Sequence, residues 1–150
     1  YVANDNSIGQ VVISGNMNDL NKFSEELKKN KIKNIKLPVS APFHCELMRS
    51  ATEKMRTEIN IAEFKKPEIN IISNVTAKKT NDPNDIKRLL IEQIESPVRW
   101  REIVINMIES KVEKFIEIGP GKVLSGLVKR INSNVKLIQI NDLEDLNNLV

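Results

Sequence analysis

A mixed α/β fold, with a parallel sheet covered by helices, is what the sequence predicts for residues 44 to 150. Two observations carry the prediction. Short apolar runs rich in Val and Ile alternate with longer stretches whose apolar residues recur at helical spacing. The polar breaks hold cap-then-proline pairs, Asp82-Pro83 and Ser96-Pro97, which open helices.

The front of the chain reads β, β, α, β. ANDN is the tail of one strand, and QVVIS, residues 10 to 14, is the next. Leu20, Phe23 and Leu27 follow at helical spacing, with Asn16 or Asn18 placed to cap that helix. KNIKLPV, residues 33 to 39, alternates apolar with polar and predicts a third strand. From Pro42 the pattern changes. Leu47, Met48, Ala51, Met55, Ile59 and Ala62 form one stripe of a long helix that already includes His44 at its start. INIISNV, residues 69 to 75, predicts a buried strand, and a polar loop runs to Asn81. Asp82 and Pro83 open a helix with Ile86, Leu89, Leu90 and Ile94 inward. Ser96 and Pro97 open another with Ile103, Met107 and Ile108 inward. KFIEI, residues 114 to 118, is a strand broken by Gly119, Pro120 and Gly121. Val123, Leu124, Leu127, Val128 and Ile131 make the next helix face. KLIQI follows as a strand, and Asp142 caps a last helix carrying Leu143, Leu146 and Leu149.

Composition narrows the function. The chain has 150 residues, 40% hydrophobic and 29% charged, which is ordinary for a globular protein. No stretch approaches the roughly 20 apolar residues of a membrane helix. No charged-then-apolar leader is visible, and the single cysteine, Cys45, forms no internal disulfide, so a cytoplasmic setting is expected. The net charge of +3 is spread over scattered lysines, and aromatics make up 4% of the chain, which argues against a nucleic-acid partner. The opening YVANDNS has no Met and no helix start, and reads as the middle of a longer protein.

His44 is the only histidine. It reads either as a residue that packs or caps at a helix start, or as a base held neutral by the positive end of a helix dipole. Nothing obvious stands ready for it to activate. Cys45 is its neighbour, about 100° away around a helix. Ser40 and Ser125 lie outside any G-x-S-x-G elbow. No glycine-rich phosphate loop or metal-ligand spacing occurs.

NDNSIGQVVISG, LPVSAPFHCELM, EQIESPVRW and EIGPGKVLSGL occur in this order along most of the chain. Together they resemble the C-terminal half of malonyl-CoA:acyl carrier protein transacylases, the acyltransferases of bacterial fatty acid synthesis. The resemblance implies part of a ferredoxin-like small subdomain over residues 1–41. It implies the C-terminal part of an α/β-hydrolase-like parallel sheet domain over residues 42–150. It also implies ping-pong transfer of a malonyl group from coenzyme A, through a serine ester, to the phosphopantetheine thiol of acyl carrier protein. The coenzyme A thioester is then a substrate, and no cofactor or metal is implied. His44 matches the family's catalytic histidine, and Gln93 the residue whose main-chain carbonyl orients it. Asn4 and Asn6 match a segment beside the substrate pocket, where a strand-to-turn connection would also favour Asn. Phe43 falls where a bulky ring narrows the acyl pocket, or where an ordinary core aromatic would sit. Gly119, Pro120 and Gly121 match a family signature and read as a tight turn. The serine elbow, the arginine for the malonyl carboxylate and the oxyanion hole belong to the N-terminal half, which this chain lacks. The chain alone is therefore expected to be inactive, its partners being malonyl-CoA, acyl carrier protein and the missing half. The alternatives are a non-catalytic fragment that binds carrier protein, and a decayed gene product.

Overall fold

A computed structural model describes residues 1–148. The chain opens with an antiparallel hairpin of β1 (Val2–Ser7) and β2 (Gln10–Ile13). Gly9 turns it at φ +75°, a conformation that favours glycine. Helix α1 (Met17–Lys29) follows, capped as expected by Asn16, whose side-chain oxygen accepts the Asn18 N–H at 2.9 Å. A single 3₁₀ turn (Glu46–Met48) leads into α2 (Arg49–Ile61). Strands β3 (Ile71–Ile72) and β4 (Lys79–Thr80) make a small antiparallel pair. Helix α3 (Pro83–Glu92) is capped by Asp82, which accepts two backbone N–H groups. Then come α4 (Trp100–Glu109), β5 (Lys114–Ile118), α5 (Val123–Ile131), β6 (Lys136–Ile140) and α6 (Leu143–Asn147).

The mixed α/β character is as the alternation requires. β5 and β6 run parallel in unbroken register from Lys114↔Lys136 to Ile118↔Ile140, with α5 as the crossover. The core forms where α4 packs on β1 and on α5. Val104 is 0% exposed, with Ile103, Leu127, Val128 and Ala3 also buried. β1 is joined to the far half of the chain by Asp5 N–H to Val98 O (2.9 Å) and Val98 N–H to Ala3 O (2.8 Å). Arg101 clamps Asp5 from the same side, with Nε 3.0 Å from both carboxylate oxygens and a terminal nitrogen 2.6 Å from Oδ2. This fork geometry is the strong form of a charged hydrogen bond.

Several expectations are corrected. Residues 33–39 form no strand. Their alternation is real, but no neighbouring strand among the described residues offers hydrogen bonds, and Ile35 stands 76% exposed. The INIISNV strand shrinks to two residues, and the predicted polar loop supplies β4, so these backbones pair with each other in a hairpin. Ser96 and Pro97 do not open α4. That stretch stays extended to bridge β1, and the helix starts at Trp100. The inward face of α3 uses Ile91 with Ile86 and Leu89, while Leu90 and Ile94 are half-buried. Val123, Leu124, Leu143 and Leu146 are exposed rather than inward. Leu149 lies outside the described residues.

Candidate active site

Three features hold the backbone around His44. Pro42 fixes the approach. Cys45 is then buried, its Sγ 3.1 Å from the Pro42 carbonyl and 3.7 Å from Ser14 Oγ on the segment after β2. Tyr1 adds a hydrogen bond from its hydroxyl to the Glu46 carboxylate. The cysteine therefore serves packing. Between Pro42 and Cys45 the chain must turn, and His44 takes a left-handed conformation with φ +62°. Histidine is one of the few side chains enriched there. His44 therefore precedes the helix instead of starting it, and the helix-dipole argument for its neutrality falls away.

The half-buried ring faces the end of another helix. His44 Nδ1 lies 2.9 Å from the main-chain oxygen of Gln93. Gln93 is the residue that ends α3, where the last carbonyls have no helical partner of their own. A carbonyl oxygen only accepts, so Nδ1 carries a proton, and in the neutral ring the lone pair is then on Nε2. Arg49 and Glu95 approach to 3.7 Å and bring the start of α2 near the end of α3.

Among the predicted residues, His44 and Gln93 are brought together. Phe43 sits beside them and is 47% exposed, so it is not a core aromatic in this chain. Asn4 and Asn6 lie on β1. Both are half-buried, in a strand whose register shifts between Val2 and Asn4 and again between Asp5 and Ser7. Ser40 is exposed, and Ser125 is buried at the start of α5. The Gly119-Pro120-Gly121 turn has φ +128° at Gly119 and +95° at Gly121, and the Gly121 N–H donates to Asn141 Oδ1 at 2.8 Å. It lets the chain reverse from β5 into α5.

Two residues escaped the sequence. Glu117, on β5, caps α5 by accepting the N–H groups of Leu124 (3.0 Å) and Ser125 (2.7 Å). Burial pushes its carboxyl up, but hydrogen bonds from Ser125 and Leu124 outweigh this and hold it below the usual range. Asn74 donates from its side chain to Gln93 Oε1 at 3.2 Å. Glu117 follows the period of its strand and precedes the helix by several residues, and Asn74 lies in a turn. Neither position carries a local sequence signal. No group of acidic, His and Cys side chains among the described residues could hold a metal, and no helix there is long and apolar enough to cross a membrane.

Comparison with known proteins bears on what such a ring could do. The acyl transferase domain family matches residues 1–141. The malonyl CoA-acyl carrier protein transacylase of Bacillus subtilis is 46% identical over 146 residues, covering 97% of this chain and 46% of that protein. A crystal structure of the transacylase of the same name from Clostridium perfringens superposes with a TM-score of 0.92 at 44% identity, over 99% of this chain and 47% of that one. A malonyl-transacylase in complex with a type II PKS acyl-carrier protein superposes at 0.91 and 36% identity, over 97% of this chain and 48% of that one. The chain thus spans about half the length of the relatives it matches.

Proposed function

Because the chain belongs to the acyl transferase domain family, we propose that it is the C-terminal part of a malonyl-CoA:acyl carrier protein transacylase. His44 is its general base, and the serine nucleophile comes from outside these 150 residues. The observation that carries the reading is the 2.9 Å approach of His44 Nδ1 to the Gln93 carbonyl. It leaves Nε2 as a base and puts a fixed dipole where serine hydrolases use a carboxylate.

The steps follow from that ring. Nε2 takes the serine proton as the hydroxyl attacks the malonyl thioester. The tetrahedral intermediate collapses, the coenzyme A sulfur leaves, and the imidazolium returns the proton to it. The phosphopantetheine thiol then gives its proton to Nε2 and attacks the serine ester. Collapse breaks the ester bond, and the serine oxygen takes the proton back. The ring's transient positive charge faces a carbonyl at the negative end of α3.

Asn4 and Asn6 line the substrate pocket in this reading, and Phe43 narrows its acyl end, its other wall coming from the absent half. Residues 1–41 belong to the ferredoxin-like subdomain, and residues 42–150 to the hydrolase-like sheet. The setting is cytoplasmic, and the missing N-terminal half is a partner.

The test is malonyl transfer to carrier protein, followed by mass. The chain alone is expected to transfer nothing. Combined with a serine-bearing N-terminal half, it should transfer, and His44→Ala should lower the rate by about 10²–10⁴. Transfer by the chain alone, or an unchanged rate in the His44→Ala complex, would overturn the reading.

A second reading is a fragment that only binds acidic carrier protein. Lys28, Lys29, Lys31, Lys33 and Lys36 are exposed together on and after α1. Binding that weakens steeply with salt, without transfer in the combined assay, would favour it.

A further inference from the structure

The Gln93 carbonyl is useful to His44 only if it stays put. It ends a helix, where backbone frays most readily. The structure supplies a fastening. Asn74 lies in the turn between β3 and β4, where the Ser73 N–H donates to Lys78 O and the Ala77 N–H to Ser73 O. Ser73 Oγ accepts the Val75 N–H at 3.1 Å, which tightens the same turn. From it the Asn74 amide reaches Gln93 Oε1 at 3.2 Å.

The turn is itself anchored. The Arg99 N–H donates to Asn74 O at 3.2 Å, and its guanidinium to Val75 O at 3.1 Å. That guanidinium is held in turn by a two-pronged contact with Glu102, at 2.8 and 2.7 Å. Asn106, further along α4, donates to Ala77 O at 2.9 Å. The start of α4 thus holds the turn, the turn holds the Gln93 side chain, and the Gln93 main chain faces the ring.

We infer that Asn74 is a positioning residue for His44, acting by holding Gln93 so that its carbonyl meets Nδ1. The inference rests on the reading of His44 as the base. It concerns orientation alone, because the Asn74 side chain bonds to Gln93 and not to the ring. An asparagine suits the task, since its side-chain amide donates to Gln93 Oε1 while the main chain of the same residue is held by the Arg99 N–H.

The single histidine makes the test clean. In the intact 150-residue chain, nitrogen-15 spectra of labelled histidine report one ring, and with that ring neutral they distinguish the Nδ1–H from the Nε2–H tautomer. The Nδ1–H form is expected to dominate in the unaltered chain. Asn74→Ala should lower the ratio of Nδ1–H to Nε2–H about threefold or more, within the range that one hydrogen bond of ordinary strength commands. Asn74→Asp should restore the ratio, because Gln93 can turn its amide round and donate to the new carboxylate. Val128→Ala, a core change on α5 rather than on the helix that holds the turn, should lower stability and leave the ratio alone. A ratio unmoved by Asn74→Ala overturns the inference, as does an unaltered chain in which Nε2–H dominates. Should Asn74→Ala fail to fold, Gln93→Ala removes the same contact while keeping the carbonyl. The same fall is expected there, and no change overturns the inference. The spectra need no activity. If the ratio falls but transfer never appears, the base reading fails and the positioning stands; the reverse pattern separates them the other way.

Discussion

Replacing His44 by glycine should give a more stable chain than replacing it by alanine. Both changes remove the ring and its hydrogen bond to Gln93, so that loss, about 1 kcal/mol, cancels between them. What differs is the backbone. At φ +62° a residue with a Cβ bears about 1–2 kcal/mol of strain, which glycine escapes. Glycine gives back about 0.4–1 kcal/mol through its extra freedom in the unfolded chain. The net advantage of glycine is then about 0.5–1 kcal/mol. Urea unfolding of the two variants reads it directly. With a slope of about 1–3 kcal/mol/M for a small protein, the glycine midpoint should lie about 0.2–1 M higher. An alanine midpoint equal to or above that of glycine, at the same slope, would refute a left-handed residue 44. The ordering also reverses the usual one at most positions, where alanine is the better-tolerated change.

Three more expectations can be checked on the same material. Glu117→Gln should cost about 1 kcal/mol at neutral pH, because it weakens the cap of α5. The Glu117 carboxyl lies lower in the folded chain than its ordinary 4.5, so its stabilisation is complete above that value and fades as pH falls through the folded one. A stability difference that stays constant across that acid range would contradict the cap. Ser7 is 2% exposed and its hydroxyl has no partner among the described residues, so Ser7→Ala should be neutral or stabilise by up to about 1 kcal/mol in thermal unfolding. A clear loss of stability would point to a bond that hydroxyl makes. Finally, Ile35, Ile116, Ile118, Val123 and Leu143 are exposed, and Ile118 reaches 78%. The isolated chain should bind hydrophobic dye or self-associate, and a monodisperse monomer with little dye binding would contradict this.

Much of the fold was legible because its signals are local. Asn16 and Asp82 announce their helices by side-chain chemistry within three residues, and both cap as read. KFIEI and KLIQI are short apolar runs flanking a helix, and they pair in parallel. Reading failed where pairing decides. Residues 33–39 have the alternation of a strand and no neighbour, so pattern alone misleads. Ser96-Pro97 has the look of a helix start, yet Val98 is claimed by Ala3 and Asp5 from the other end of the chain. At the candidate site, His44 stood out as the only histidine and a candidate base, while its place in a catalytic pair with Gln93 came through resemblance to a family. Their 2.9 Å meeting, across 49 residues, follows no spacing rule. Asn74 was invisible for the same reason, since its partner is set by how a turn lies against a helix end.

The clasp between β1 and the segment before α4 has a consequence for synthesis. Asp5 and Arg101 are 96 residues apart. At about 5–20 residues per second, a ribosome takes about 5–20 s to deliver the arginine after the aspartate. Through that wait the β1–β2 hairpin has emerged with one rim unmatched, inviting strands from other nascent chains. Yield in the cell is therefore expected to depend on waiting time as well as on final stability. Slower codons between the two positions should lower the recovered protein, and a chaperone that shelters emerging chains should raise it.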